Sequence, residues 1–297
     1  MLLKKRFKMM PDFKKRPNYY FFNLSILVYS CGLLLQGAWL PAFLCLAAAA
    51  IIHIVTRMAP ADQIGKAEVW GYMLVMTFFF FGTTVTIPMI RPEVKYDQIF
   101  QAVDNKYFLD VETWVATVSR PWLTDVITFC YLLYGPLMYS SIIYYGLFRK
   151  GLGLGYFAGL FSIFGLGFLC YLALPAEGPH FARLGEVMPL IASGPFHTFA
   201  DPLIKDGCTR SDAFPSLHIA VSFYTLIFMF FHSRRLFWCW LPIVSGLAVA
   251  TVYLFYHYQI DVLAGFVVVS IAVALSRMVT ADSPAAAGNL NLSCNQQ

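Results

Sequence analysis

Long apolar runs separated by short polar or charged joints make up most of this chain. They cover about residues 20–36, 39–56, 70–90, 122–147, 153–174, 214–232, 237–256 and 259–276. Each is close to the roughly 20 residues that a helix needs to cross a hydrocarbon core. The pattern predicts an all-α polytopic membrane protein with about eight transmembrane helices. The first two runs are short and only Gly37-Ala38 separates them. Between the third and fourth runs, Tyr96, Ile99, Phe100 and Val103 recur at helical spacing, which predicts an amphipathic helix at the membrane interface. Trp114 and Trp122 suit the headgroup level. Residues 175–213 are rich in Pro, Gly and polar groups and read as a long outer loop. No internal repeat is evident.

Composition agrees with this reading. Hydrophobic residues are 59% of the 297 and charged ones 12%, about half the roughly 25% share of soluble domains. Seven basic residues (Lys4, Lys5, Arg6, Lys8, Lys14, Lys15, Arg16) precede the first run, and no small-x-small cleavage site follows it, so it reads as a retained helix. With that cluster inside, Arg57, Lys66, Arg149, Lys150, Arg234, Arg235 and Arg277 fall on the same side, 14 of the 21 basic residues. The other side holds Arg91, Lys95, Lys106, Arg120, Arg183, Lys205 and Arg210 against a dozen acids. This positive-inside bias predicts cytoplasmic termini. Most of the seven cysteines lie in apolar runs and Cys208 falls alone in the outer loop, so neither a disulfide framework nor metal-ligand spacing is expected.

Candidate chemistry concentrates in one stretch. It opens with Asp212-Ala-Phe-Pro-Ser-Leu-His218 and closes with His257-Tyr-Gln-Ile-Asp261. The histidines are 39 residues apart, about what two membrane crossings and a tight turn require. His218 and His257 should therefore meet on the outer face, with Asp261 one helical turn beyond His257. A carboxylate on one ring nitrogen fixes the tautomer and leaves the other nitrogen free to attack. Pro215 suits a first helical turn, capped by Ser211 or Asp212. That helix start would present N–H groups and the Ser216 hydroxyl to an anion. His53, His197 and His232 read as merely interfacial. Two histidines and an aspartate would also serve zinc, although nothing like His-Glu-x-x-His occurs.

Phe214-Pro-Ser-Leu-His218 and His257-Tyr-Gln-Ile-Asp-Val-Leu-Ala-Gly265 resemble the second and third motifs of the type 2 phosphatidic acid phosphatase superfamily. The resemblance covers roughly 95–275 and implies that superfamily's helical core. It also implies a metal-independent, cofactor-free mechanism. His257 attacks phosphorus and becomes phosphohistidine, Asp261 orients it, and His218 protonates the leaving oxygen. The superfamily's first motif, a Lys followed seven residues later by Arg-Pro, is replaced by Leu174-Pro-Ala-Glu-Gly-Pro-His180. Its Ser-Arg upstream of the third motif is replaced by Ala250-Thr251. Both departures, with Asp104 and Trp114, are similar to the inositol phosphorylceramide synthase branch. The lost cations leave phosphate charge to His180, Arg183, Lys205 and Arg210, Arg210 foremost.

The expected organisation is a basic cytoplasmic segment (1–19), N-terminal membrane helices (20–94), a catalytic membrane domain (95–277) and a disordered cytoplasmic tail (278–297). The expected activity is transfer of a phospho-headgroup from a phospholipid or lipid phosphate in the bilayer to a lipid alcohol or a polyol such as inositol, at the periplasmic or luminal face. Glu177, His180, Asp201 and Arg210 offer donors and acceptors for a polyhydroxylated group. The alternatives are a lipid phosphate or polyprenyl pyrophosphate phosphatase and a non-enzymatic lipid transporter. No nucleic-acid partner is expected.

Overall fold

The computed structural model describes residues 18–58, 64–91 and 95–281. The basic cluster at 4–16 lies outside them, as does the tail beyond Ala281. The last helix continues through Ala281, past the point where disorder was expected to begin.

The described residues are helical and contain no strand. In chain order the helices are α1 (Asn18–Leu35), α2 (Trp39–Met58), α3 (Lys66–Ile90), α4 (Asp97–Tyr107), α5 (Val111–Val118), α6 (Pro121–Leu132) and α7 (Tyr134–Ile143). A π-helical turn, Tyr144–Phe148, closes α7. Then come α8 (Lys150–Ala173), α9 (Pro179–Ala182), α10 (Leu184–Val187), α11 (Pro195–Gly207), α12 (Leu217–His232), α13 (Arg234–Tyr253) and α14 (Gln259–Ala281). Six segments are long and apolar enough to cross a membrane: α2, α3, Pro121–Phe148, Gly151–Ala173, α13 and Gln259–Val279. Phe21–Leu35 and Leu217–His232 are apolar but shorter. The eight apolar runs thus each form a helix. The Pro121–Phe148 segment is broken at Leu133, three residues before Pro136, which has no N–H to continue the ladder. Exposed side chains such as Leu40, Phe43 and Trp238 give these helices an apolar outer surface, as a hydrocarbon solvent requires.

The chain divides into two compact units. Among the described residues, the first comprises those from 18 to 80, 139–166 and 270–281. Its interior is aromatic. Phe161 meets Phe22 edge-on at 5.4 Å and Tyr72 at 4.6 Å. Buried hydroxyls pair across helices, Thr56 with Tyr72 at 2.9 Å and Ser141 with Tyr156 at 2.5 Å. Such pairs hold helices together where burial in lipid supplies no hydrophobic drive.

The second unit, residues 81–138 and 167–269, holds both histidine motifs. Its core gathers Val115, Ile127, Tyr131, Ile191, Ala200, Tyr253 and Tyr256. The 91–121 segment is helical as expected, but it is not a plain interfacial element. Phe100 is buried, stacked on Phe214 at 4.7 Å, and Asp97 and Asp104 are buried with it. The Asp97 carboxylate accepts from the amides of Glu177 and Gly178 and from the Tyr258 hydroxyl. Asp104 accepts from the amides of Gln259 and Ile260. Short polar residues on α4 therefore satisfy backbone donors that no helix provides for. The 175–213 segment is likewise structured, as α9, α10, a 3₁₀ turn and α11.

Candidate active site

Two local features bring the 257–261 segment back to the start of α12. After α13 ends, Phe255 takes a left-handed backbone conformation (φ 60°), which reverses the chain and costs a side-chain-bearing residue about 1–2 kcal/mol. Gly178, at φ 84°, lies so close to the Tyr256 carbonyl that a Cβ there would strike it. The His180 amide donates to the Phe255 carbonyl at 2.6 Å. Ala213 N donates to Ala176 O, and Ser216 N to the Asp261 carbonyl. Backbone contacts thus tie both motifs to the 176–180 segment.

In this frame His218 Nδ1 lies 3.3 Å from His257 Nε2. His257 Nδ1 is 2.9 Å from the Ala213 carbonyl and 3.6 Å from Asp261 Oδ2. Ala213 therefore makes the closer contact, and donation from Nδ1 to it leaves Nε2 as the nitrogen with a lone pair. Asp261 is fully buried, and its Oδ2 accepts from the Tyr258 amide at 2.8 Å. Its Oδ1 has no partner among the described residues. The His218 ring packs against Tyr131 at 4.6 Å and Tyr134 at 4.4 Å. Burial raises the Asp212 carboxyl, and its attraction to His257 offsets part of the rise. Asp212 is thus a charge partner that the sequence suggested only as a cap.

The cap itself is Ser216, whose hydroxyl accepts from the Ile219 amide, so α12 starts at Leu217 and Pro215 lies outside it. Neither Ser211 nor Asp212 caps this helix. A proline at 215 fits equally well just before a cap, which is why the sequence left the start ambiguous by two residues. Ser216 is buried with its hydroxyl turned back on its own helix.

The cation candidates are dispersed. Arg183 is held by Glu112 and Glu186 at 2.5 Å each. Lys205 pairs with Asp201, also at 2.5 Å. The Arg210 guanidinium lies over the Phe181 ring at 5.0 Å, with no carboxylate partner among the described residues. Glu177 faces Lys95 at 3.4 Å, and Lys95 also reaches Ser211 Oγ at 3.1 Å and the Arg210 carbonyl. Lys95 carries no motif, so its place beside the 210–213 loop was not legible in the sequence. Cys208 is half-buried and donates to the Ile204 carbonyl, and burial raises its thiol.

His180 is fully buried and stacked on Tyr256 at 4.6 Å, and Tyr256 stacks in turn on Tyr131. Two rings therefore separate it from His218. Its Nδ1 faces the Leu254 carbonyl and its Nε2 lies 3.7 Å from Asp201. His197, read as interfacial, is also buried, with Nδ1 3.0 Å from Thr128 Oγ1. Burial, and after it the Lys205 ammonium, hold His180 down at about 4. Unfolded, the ring takes up its proton near pH 6.5. The unfolded state then binds more protons across that window, so stability is fully present above it and falls as pH drops towards 4. The gap is worth roughly 3 kcal/mol. His180→Phe keeps the stack and removes the titration. The drop in apparent melting temperature from pH 7 to 4 should be smaller in that variant than in wild type, and equal drops would contradict the assignment.

Among the described residues no group of three or more His, Cys, Asp or Glu side chains is arranged to hold a metal ion. The apolar helices define an integral membrane protein, and its two histidines meet in contact at the start of α12, a helix N-terminus, where anions are favoured. The chain belongs to the PAP2 superfamily, whose description matches residues 98–275. It is accordingly a lipid enzyme of the phosphatase or phosphotransferase type. No curated protein and no solved structure matches it.

Proposed function

We propose that this protein transfers a phospho-headgroup between a membrane lipid and an alcohol, in the manner of an inositol phosphorylceramide synthase, through a phosphohistidine at His257. The observation that carries the proposal is the 3.3 Å approach of the two histidine rings, with the far nitrogen of His257 held by a carbonyl. His257 Nε2 attacks phosphorus, the bond to the leaving alcohol breaks, and His218 gives that oxygen its proton. The acceptor hydroxyl then attacks the phosphohistidine, His218 takes the hydroxyl proton, and the P–N bond breaks. Asp261 and Asp212 stabilise the cationic ring between the steps. Arg210, with no carboxylate partner among the described residues, is the expected cation left to meet the phosphate. His180, Arg183 and Lys205 act elsewhere, since each is already buried or paired.

Purified protein given phosphatidylinositol and a lipid alcohol should release diacylglycerol and yield a new phosphodiester lipid, whereas phosphatidic acid would pass on only a phosphate monoester. Release of inorganic phosphate alone, with every acceptor, would leave the phosphatase reading in its place.

The reading also places the site on the exoplasmic face, on the strength of the loop charges. Asp206, exposed at the end of α11, is a better reporter than Cys208. Asp206→Cys should react with a membrane-impermeant thiol reagent in intact cells, above the background of wild type. Labelling that needs permeabilisation would reverse the orientation.

A further inference from the structure

Helix α11 is built the wrong way round for a helix exposed to water, where charged groups face out. Its inner face carries His197, Asp201 and Lys205, spaced by four residues and so on one side. His197 is 1% exposed and Asp201 9%. Both find partners inside the protein. Thr128 meets the His197 ring, and the Asp201 carboxylate accepts from the Tyr256 hydroxyl and pairs with the half-buried Lys205. The outer face is apolar. Phe199 is 69% exposed and Leu203 57%, with Pro195 and Pro202 exposed beside them. The Thr198 hydroxyl on this face is turned back on the Gly194 carbonyl at 2.8 Å. No charged side chain is exposed on α11 before Asp206, in its last turn.

The first turn of α11 is fixed to a segment that crosses the membrane. The Asp125 carboxylate on α6 accepts from the His197 amide at 2.8 Å, and it lies so close to Gly194 that a Cβ there would strike it. One turn further along α6, Phe129 meets Phe196 edge-on at 6.0 Å. Asp125, Thr128 and Phe129 all lie within the apolar Pro121–Phe148 segment. Phe129 also belongs to an exposed apolar stripe of α6 with Trp122 and Val126. Asp125 and Phe129 are three and seven residues beyond Trp122. At 1.5 Å per residue the start of α11 is therefore about 5–10 Å along α6 from Trp122. Helices that lie in a membrane interface are buried to about that depth.

We infer that the face of α11 formed by Phe196, Phe199 and Leu203 lies among the acyl chains of the leaflet on the histidine side. Part of the 175–213 segment is then a membrane-embedded helix and not a loop in water. Lipid is the occupant because this face continues the exposed apolar stripe of α6 with no charge between them. A hydrocarbon surrounding also accounts for the order of the two faces, apolar groups outside and polar groups paired within. The last turn, with Asp206 exposed, returns to water. On the inner side Asp201 holds Tyr256, the residue before His257, so one hydrogen bond joins the lipid-facing helix to the His257 turn. This placement is independent of the reaction at His257, since burial, span assignment and contacts alone define it.

Phe199 and Leu203 are exposed, so p-benzoylphenylalanine at either position leaves the core intact. Full-length protein carrying this photo-crosslinker in place of Phe199, Leu203, Phe129 or Asp206 is irradiated in phosphatidylcholine vesicles. Lipid adducts are read as a mass increase of one phosphatidylcholine. The crosslinker at Phe199 and Leu203 should form adducts as readily as at Phe129 on α6, and about tenfold more than at Asp206. Yields at Phe199 and Leu203 as low as at Asp206 would put this face in water and overturn the inference. Crosslinks there to a second copy of the chain, in place of lipid, would make that copy the occupant and overturn it as well. Phe199→Asp and Leu203→Asp give a separate reading in the same vesicles. Each should lower the apparent melting temperature, because a carboxylate is costly in hydrocarbon. A face in water would leave it unchanged or raised in both variants, and that result contradicts the lipid contact.

Discussion

His257→Ala is expected to abolish turnover and to leave no acid-labile phosphoenzyme after incubation with labelled lipid phosphate. In the proposed mechanism both half-reactions pass through Nε2 of this ring, so no partial route would survive its removal. Loss of a covalent nucleophile costs on the order of 10⁶-fold in kcat in well-studied hydrolases. The structural cost is smaller. The ring gives up its bond to the Ala213 carbonyl, worth about 1 kcal/mol. His257→Gln offers an amide donor near the same place and tests whether folding alone explains the loss. A phosphoenzyme persisting in either variant would move the nucleophile to another residue.

His218→Gln is expected to slow transfer about 10²–10⁴-fold, the usual worth of a general acid, and to do so unevenly. A poor leaving group such as a lipid alkoxide needs the proton at the transition state, whereas p-nitrophenolate does not. The variant should therefore lose far less activity with p-nitrophenyl phosphate than with phosphatidic acid. His218 is enclosed between Tyr131 and Tyr134, so a truncation to Ala would leave a gap between two rings. Gln fills more of that space. Equal losses with both substrates would show that the ring positions substrate and does not deliver a proton.

Helix positions were legible because each apolar run is set by hydrocarbon thickness, a one-dimensional constraint. The meeting of the two histidines was legible for the same reason, since the 39-residue spacing converts directly into two crossings. The surroundings of that pair were not. Ala213 orients His257 through a backbone carbonyl, and any residue type can supply a carbonyl. His180 and Arg210 look alike in the sequence as loop residues able to meet a phosphate. Only packing shows that one is sealed behind two aromatic rings while the other has no carboxylate partner among the described residues.

The sequence by itself determined an all-α membrane protein, the order of its spans and the spacing that brings the two histidines together. Hydrophobic run length and motif spacing are properties of the chain. Tertiary structure decided which polar groups are already paired, where α12 begins, and that α4 supplies carboxylates and amides around the site. Several of those outcomes depend on contacts between residues far apart in the chain, such as Arg183 with Glu112, 71 positions away, and Tyr258 with Asp97, 161 positions away. A buried carboxylate is satisfied by whichever donor the fold brings to it, and no local pattern records that choice.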